Sequence, residues 1–150
     1  MIVRKSAQEI AKMAAAGRIV AETIASVGEL LEPGITTGEL DRIAEEHIRS
    51  LGGVPTSQGY RGYPAAICIS PNDMVVHGIP GPYEVAEGDL ITIDVGVTLD
   101  GYIADSAFTF PVGEVSELAR RLLHTGRQAL AAGIAQAVPG NRVGDISHAV

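Results

Sequence analysis

Cysteine is almost absent from this sequence, with Cys68 standing alone among 150 residues. A single thiol closes no internal disulfide and builds no cysteine-rich zinc site, so a disulfide-stapled fold is excluded and a reducing, cytoplasmic setting is expected. Basic charge is scarce as well. Eleven Lys and Arg side chains stand against eighteen Asp and Glu, for a net charge of -7. The basic residues nowhere form a stripe able to neutralise phosphates, which argues against nucleic acid as a direct ligand. Long hydrophobic runs are missing too. The most apolar stretch, 13–27, is broken by Arg18 and Glu22 and is too short to span a bilayer. After Arg4 and Lys5 come Gln8, Glu9 and Lys12, where an export signal needs an apolar segment. Neither membrane insertion nor export is expected.

What is present is a globular balance of 46% hydrophobic and 19% charged residues, enough to drive a core and far from the composition of a disordered chain. The length suits one folded unit over residues 1–150. Ser6 and Glu9 make a capping box ahead of Ile10, Met13, Gly17, Val20, Ile24 and Val27, which recur at helical spacing and predict a helix to about Leu31. Pro33-Gly34 ends it. Thr36 and Glu39 then open a second helix carrying Leu40, Ile43, Ala44, His47, Ile48 and Leu51, closed by Gly52-Gly53. His47 lies within the apolar stripe and reads as a half-buried packing residue.

From 54 to 111 the pattern shifts to short β-rich runs separated by Gly, Pro, Asn and Asp, predicting strands at 65–70, 74–77, 90–99 and 102–110. Ser116 opens a further helix bearing Leu118, Leu122, Leu123, Ala129, Leu130 and Ile134, expected to end around Pro139-Gly140. Asp145 reads as an N-cap with hardly more than one turn after it, so the sequence reads as cut rather than finished. The fold class is α+β.

The hairpin at Asp100-Gly101 can be worked out in detail. A two-residue Asp-Gly loop favours a type I′ turn, which sets Leu99 opposite Tyr102 and Asp105 opposite Gly96. Alternation then brings Asp94 and Asp105 onto one face as diagonal neighbours, about 7–8 Å apart at the backbone. The other face carries Ile91, Ile93, Val95, Val97 and Leu99 with Tyr102, Phe108 and Phe110, and is the core side. Two converging carboxylates repel unless a cation sits between them, and divalent metals accept such oxygen ligands. Gly96 supports a metal, because a side chain there would crowd the space between the acids. The spacing by itself also fits a solvated acidic pair. His77 closes an apolar run before Gly78 and Pro80, where an imidazole can reach a cleft and act near neutral pH.

Taken together, Tyr60-Arg61-Gly62-Tyr63-Pro64, the segment from Ala65 to Ser70, Asn72-Asp73-Met74-Val75-Val76-His77-Gly78-Ile79-Pro80 and Ile93-Asp94-Val95-Gly96 resemble type I methionine aminopeptidases over essentially the entire chain. The flanking helices, the Val138-Pro139-Gly140-Asn141 segment and the spacing from His77 through Asp94 to Asp105 share the resemblance. It implies the pita-bread fold, in which two pseudo-symmetric halves wrap around a dinuclear metal centre. This chain would supply the first half, a curved antiparallel sheet with covering helices, and the start of the second. The implied activity is hydrolytic removal of the initiator methionine from nascent polypeptides, near the ribosome, by a monomer using two divalent ions (Co, Mn, Fe or Zn).

Carried over, Asp94 would chelate one metal, Asp105 would bridge both, and His77 would contact the substrate near the scissile amide. Tyr60, Tyr63 and Cys68 would line the pocket for the methionine side chain, a thioether suited to aromatic and sulfur neighbours. Asn72 and Met74 resemble positions whose backbone carbonyls hold a monovalent cation in some members. Two departures stand out: Arg61 replaces the usual histidine between the tyrosines, and Ser57 replaces a second pocket cysteine. The family's remaining ligands, a histidine and two glutamates, lie downstream of the segment resembling Pro139-Gly140. His124 and His148 do not match that histidine, so the 150 residues are expected to be inactive by themselves. Two rival readings share the fold: an Xaa-Pro aminopeptidase or dipeptidase, and a binding module without catalysis.

Overall fold

The structure, a computed structural model, describes residues 3–150. Its contacts divide the chain into two compact units, Met1–Glu114 and Val115–Val150. In the first, helix α1 (Ala7–Glu29) starts at the expected box: Ser6 Oγ accepts from the Glu9 amide at 3.3 Å while Glu9 accepts from the Ser6 amide at 2.7 Å. Helix α2 (Thr37–Ser50) keeps half of its box, with Thr36 Oγ1 accepting from the Glu39 amide at 3.2 Å. Both helices turn an apolar stripe inward, and α2 shows its polar face as Arg42–Glu46 and Arg49–Glu45 pairs one turn apart.

The sheet is antiparallel and has four strands: β1 (Val54–Pro55), β2 (Cys68–Pro71), β3 (Leu90–Leu99) and β4 (Tyr102–Pro111). Strand β4 pairs with β3 along its whole length, so β1 and β2 share the opposite edge of β3, β1 against Val97 and Thr98 and β2 against residues 91–94. Asp100 and Gly101 both take positive φ, 49° and 80°, as a type I′ turn requires, and Leu99 faces Tyr102. Ile91, Ile93, Val95 and Val97 point to one face and are fully buried against Ile19, Val20, Ile24 and Val27 of α1 and Leu40, Ala44 and Ile48 of α2. Phe108 lies on this face in register with Ile93 but remains 41% exposed, its ring 4.7 Å from that of Phe110.

Four boundaries differ from the sequence reading. No strand forms at 74–77, because Asn72 takes a left-handed turn (φ 52°) and exchanges backbone and side-chain hydrogen bonds with Leu90, so the following residues leave the sheet. Residues 65–67 precede the strand rather than join it, since the amides of Ala66 and Ile67 donate to Asp41 Oδ1 on α2 instead of to a neighbouring strand. In the second unit, α3 (Glu117–Ala135) stops at Gln136, earlier than Pro139-Gly140, because a short loop has already turned the chain before the proline. Asp145 is not the N-cap of α4 (Val143–Ala149) but its third residue, reaching back to the Arg142 amide at 2.7 Å. Leu118, Leu122, Leu130 and Ile134 of α3 are all more than half exposed.

Candidate metal and substrate site

The face of the sheet opposite the core carries the candidate site, and its composition follows from register. Cys68 pairs with Asp94 and Ser70 with Thr92 across β2 and β3, while Gly96 pairs with Asp105 and Asp94 with Ala107 across β3 and β4. Directly paired side chains share a face, so Cys68, Ser70, Thr92, Asp94, Gly96 and Asp105 all leave the core together. Thr56–Thr98 and Thr92–Thr109 hydroxyl pairs, each at 2.9 Å, satisfy the polar groups at either end of this face.

Asp94 and Asp105 are close enough to feel each other. Burial, then the negative charge of Asp105, push the Asp94 carboxyl above its usual range, and the positive charge available to His77 draws it partly back. A carboxyl whose ionisation a neighbouring carboxylate resists fits a divalent cation, whose charge removes that cost. Gly96 keeps the place open, since a Cβ there would sit 3.0 Å from Asp105 Oδ2 and 3.3 Å from Thr56 Cβ. Among the described residues no group of three or more His, Cys, Asp or Glu side chains is arranged to hold a metal ion.

His77 stands not on a strand but in the loop between β2 and β3, with a left-handed backbone (φ 59°). Its side chain is exposed and near enough to Asp94 for its charge to bear on that carboxyl. Just after it, Gly78 is buried and joined to β2 through the Ile69 amide at 3.0 Å. The base of this loop is clamped: Asp89 accepts from Asn72 Nδ2, Tyr83 Oη and the Ala86 amide, each at 2.9 Å.

Tyr63 and Cys68 come together beside these groups. The Tyr63 hydroxyl donates to the carbonyls of Gly78 at 2.8 Å and Ile67 at 3.2 Å, and burial followed by its hydrogen bond with Cys68 pushes its pKa well up. Burial also raises the Cys68 thiol, opposed by hydrogen bonds to Tyr63 and Ser57, with Asp94 and Asp105 adding to the rise. Such a thiol stays neutral, a soft apolar group rather than a nucleophile. Tyr60 is different: it is 64% exposed at the surface, with the Arg61 guanidinium 5.5 Å above its ring. His47 is half-buried on α2 and its Nε2 has no hydrogen-bond partner. Sequence reasoning passed over Asp41, Ser70, Tyr83 and Asp89. Ser70 was within reach, since strand alternation from Cys68 places it on the same face.

Comparison with known proteins decides what this arrangement belongs to. The sequence profile of metallopeptidase family M24 matches residues 11–150. The chain belongs to that family. It is 45% identical to a methionine aminopeptidase of Bacillus subtilis and 47% identical to one of Mycobacterium tuberculosis, each over all of this chain but only 60% and 57% of the relative. The chain thus spans about 60% of the length of such family members. A methionine aminopeptidase structure from Thermotoga maritima superposes with a TM-score of 0.97 at 37% identity, covering 100% of this chain and 61% of that one. One from Rickettsia prowazekii gives 0.95 at 36%, covering 99% and 60%. The expected fold is therefore the one observed. A prolidase of Pyrococcus furiosus, at 20% identity and a TM-score of 0.84 over 97% of this chain and 42% of that one, shares the fold. No helix of the described residues is long and apolar enough to cross a membrane.

Proposed function

We propose that this chain is the part of a methionine aminopeptidase that supplies the first two metal ligands and one side of the substrate site. The complete activity is metal-dependent hydrolysis of the Met-Xaa bond at the N-terminus of nascent proteins in the cytoplasm. The observation that carries this is the convergence of Asp94 and Asp105 from adjacent strands, with Gly96 leaving the space between them clear.

Asp94 would hold one ion and Asp105 would bridge two, in a site whose oxygen donors suit Mn, Fe, Co or Zn. When bound, the ions supply Lewis acidity, giving a nucleophilic water near neutral pH and a polarised carbonyl. His77, beside Asp94, would donate a hydrogen bond towards the substrate amide and stabilise the charge that develops as the peptide bond is attacked. Tyr63 and Cys68 would receive the methionine side chain, with Tyr60 at the rim. A monomeric protein of the relatives' length, meeting its substrates near the ribosome, completes the reading.

The test compares Met-Ala-Ser with Ala-Pro peptides as substrates for a protein of that length carrying this chain. Metal-dependent release of methionine, abolished in Asp105→Ala, is expected. Preferential cleavage of Ala-Pro would transfer the site to an Xaa-Pro peptidase, and absence of cleavage with all ligands present would make it a binding module.

A further inference from the structure

We infer that Ser70 is a positioning residue for His77: from β2 its hydroxyl holds the amide that follows His77 and so fixes the backbone that carries the imidazole. This rests on the role proposed above for His77. A non-glycine residue at φ 59° is strained and persists only where its surroundings leave it no alternative. The surroundings here act through Gly78. Its N–H donates to Ser70 Oγ at 3.1 Å, and its carbonyl accepts from the Ile69 amide at 3.0 Å and the Tyr63 hydroxyl at 2.8 Å. A Cβ at residue 78 would run into the Ile69 carbonyl oxygen and the Met74 sulfur, so this approach requires glycine.

Among these three anchors Ser70 has a distinct place. Ile69 contributes main chain, which substitution does not remove, and Tyr63 is itself assigned to the methionine pocket. Ser70 is 3% exposed, does not belong to the proposed pocket, and lies on the face that carries Cys68 and Asp94. Losing its hydroxyl leaves the Gly78 N–H buried without a partner, which is costly. That peptide escapes by turning about ψ of His77. Because the left-handed well is small in φ and ψ together, the turn releases His77 from it and displaces the imidazole.

In the protein of the relatives' length, Ser70→Ala should lower kcat on Met-Ala-Ser about tenfold with KM little changed. In a His77→Ala background the same change should have no further effect. The intraresidue amide-to-Hα NOE of His77, strong only at positive φ, should weaken in Ser70→Ala. An equal loss of kcat in both backgrounds, or an unchanged NOE, would overturn the inference. Should Ser70→Ala fail to fold, Ser70→Cys, nearly isosteric with a weaker acceptor, takes its place in the same cycle. If the wild-type protein cleaves no methionine peptide, the functional reading fails, and the NOE still decides whether Ser70 holds His77.

Discussion

The two faces of the β3–β4 hairpin obey opposite rules although they are built from alternate residues of the same strands. On one, Ile91, Ile93, Val95 and Val97 are fully buried beneath α1 and α2, and charge enters only at its end, where Glu9 and Lys12 of α1 meet Tyr102. On the other, Asp94 bears a carboxyl whose ionisation is resisted by burial and by Asp105, and the loop above it holds a residue in a strained backbone conformation. The first face stabilises the fold and the second draws on that stability. A rigid apolar layer makes it affordable to hold two acids close together.

The comparison breaks most sharply at Ile93. Ile93→Ala removes a fully buried side chain from the core and should cost about 2–5 kcal/mol of unfolding free energy, measured by urea denaturation. Asp94→Ala, its neighbour on the opposite face, should cost far less in metal-free protein or even stabilise it. A loss at Asp94 equal to that at Ile93 would mean that the acid face is structural after all.

Within the acid face, the proposed division of labour separates His77 from Asp105. In the protein of the relatives' length, His77→Ala should lower kcat by about 10²-fold or more and leave metal content near that of wild type. Asp105→Ala should lose metal and activity together. Equal metal loss in both variants, measured by elemental analysis, would remove His77 from its substrate role.

Between the faces, Asp89 joins the loop base to β3, and pH tests it. Burial works to raise its carboxyl, but hydrogen bonds from Asn72, the Ala86 amide and Tyr83 outweigh this and set it below its ordinary value. A carboxyl lowered in the folded state contributes stability that is fully present above its unfolded pKa of about 4 and is lost as pH falls through the folded value. Asp89→Asn should therefore lower the melting midpoint at neutral pH, and its difference from wild type should shrink on acidification below about pH 4. A gap that stays constant from pH 7 to 3 would show that the hydrogen bonds do not depend on the charge.

How much of this was legible in sequence follows the same line between regular and irregular structure. The hairpin register, and with it the shared face of Asp94, Gly96 and Asp105, follows from Asp100-Gly101 and alternation, both local properties. The helix starts at Ser6 and Thr36 were equally local. The run Met74-Val75-Val76-His77 misled, because β propensity says nothing about whether a strand edge is free to accept it, and here Asn72 had already turned the chain. Asp41, at 25 and 26 residues from its partners Ala66 and Ile67, and Asp89, at 17 from Asn72, act through contacts that no periodicity encodes. The roles proposed for His77 and for the acids as a pair rest on family resemblance, since one Asp pair at that spacing also fits a solvated sheet face.

The smallest effect expected is that of added metal on the 150 residues by themselves. Asp94 and Asp105 offer two ligands, and no third His, Cys, Asp or Glu among the described residues is arranged with them to hold a metal ion. Affinity grows with ligand number and with the groups that orient each ligand, so two carboxylates hold an ion that exchanges readily. An ion that binds only the folded state raises stability in proportion to the logarithm of its concentration over Kd, which for weak binding amounts to little. The melting midpoint of the isolated chain should therefore move by no more than a few degrees in millimolar Mn, and Asp94→Asn should abolish that small shift. Met-Ala-Ser should not be cleaved, because no assigned group in these residues serves as the general base. Leu118, Leu122, Leu130 and Ile134, all more than half exposed, form an apolar stripe along α3, and a surface of that kind promotes self-association. Sedimentation at rising concentration should show it. Metal-dependent turnover by a purified, mass-verified 150-residue chain would refute the assignment, and would require a further ligand from outside the acid pair, with His124 and Glu117 the first to substitute.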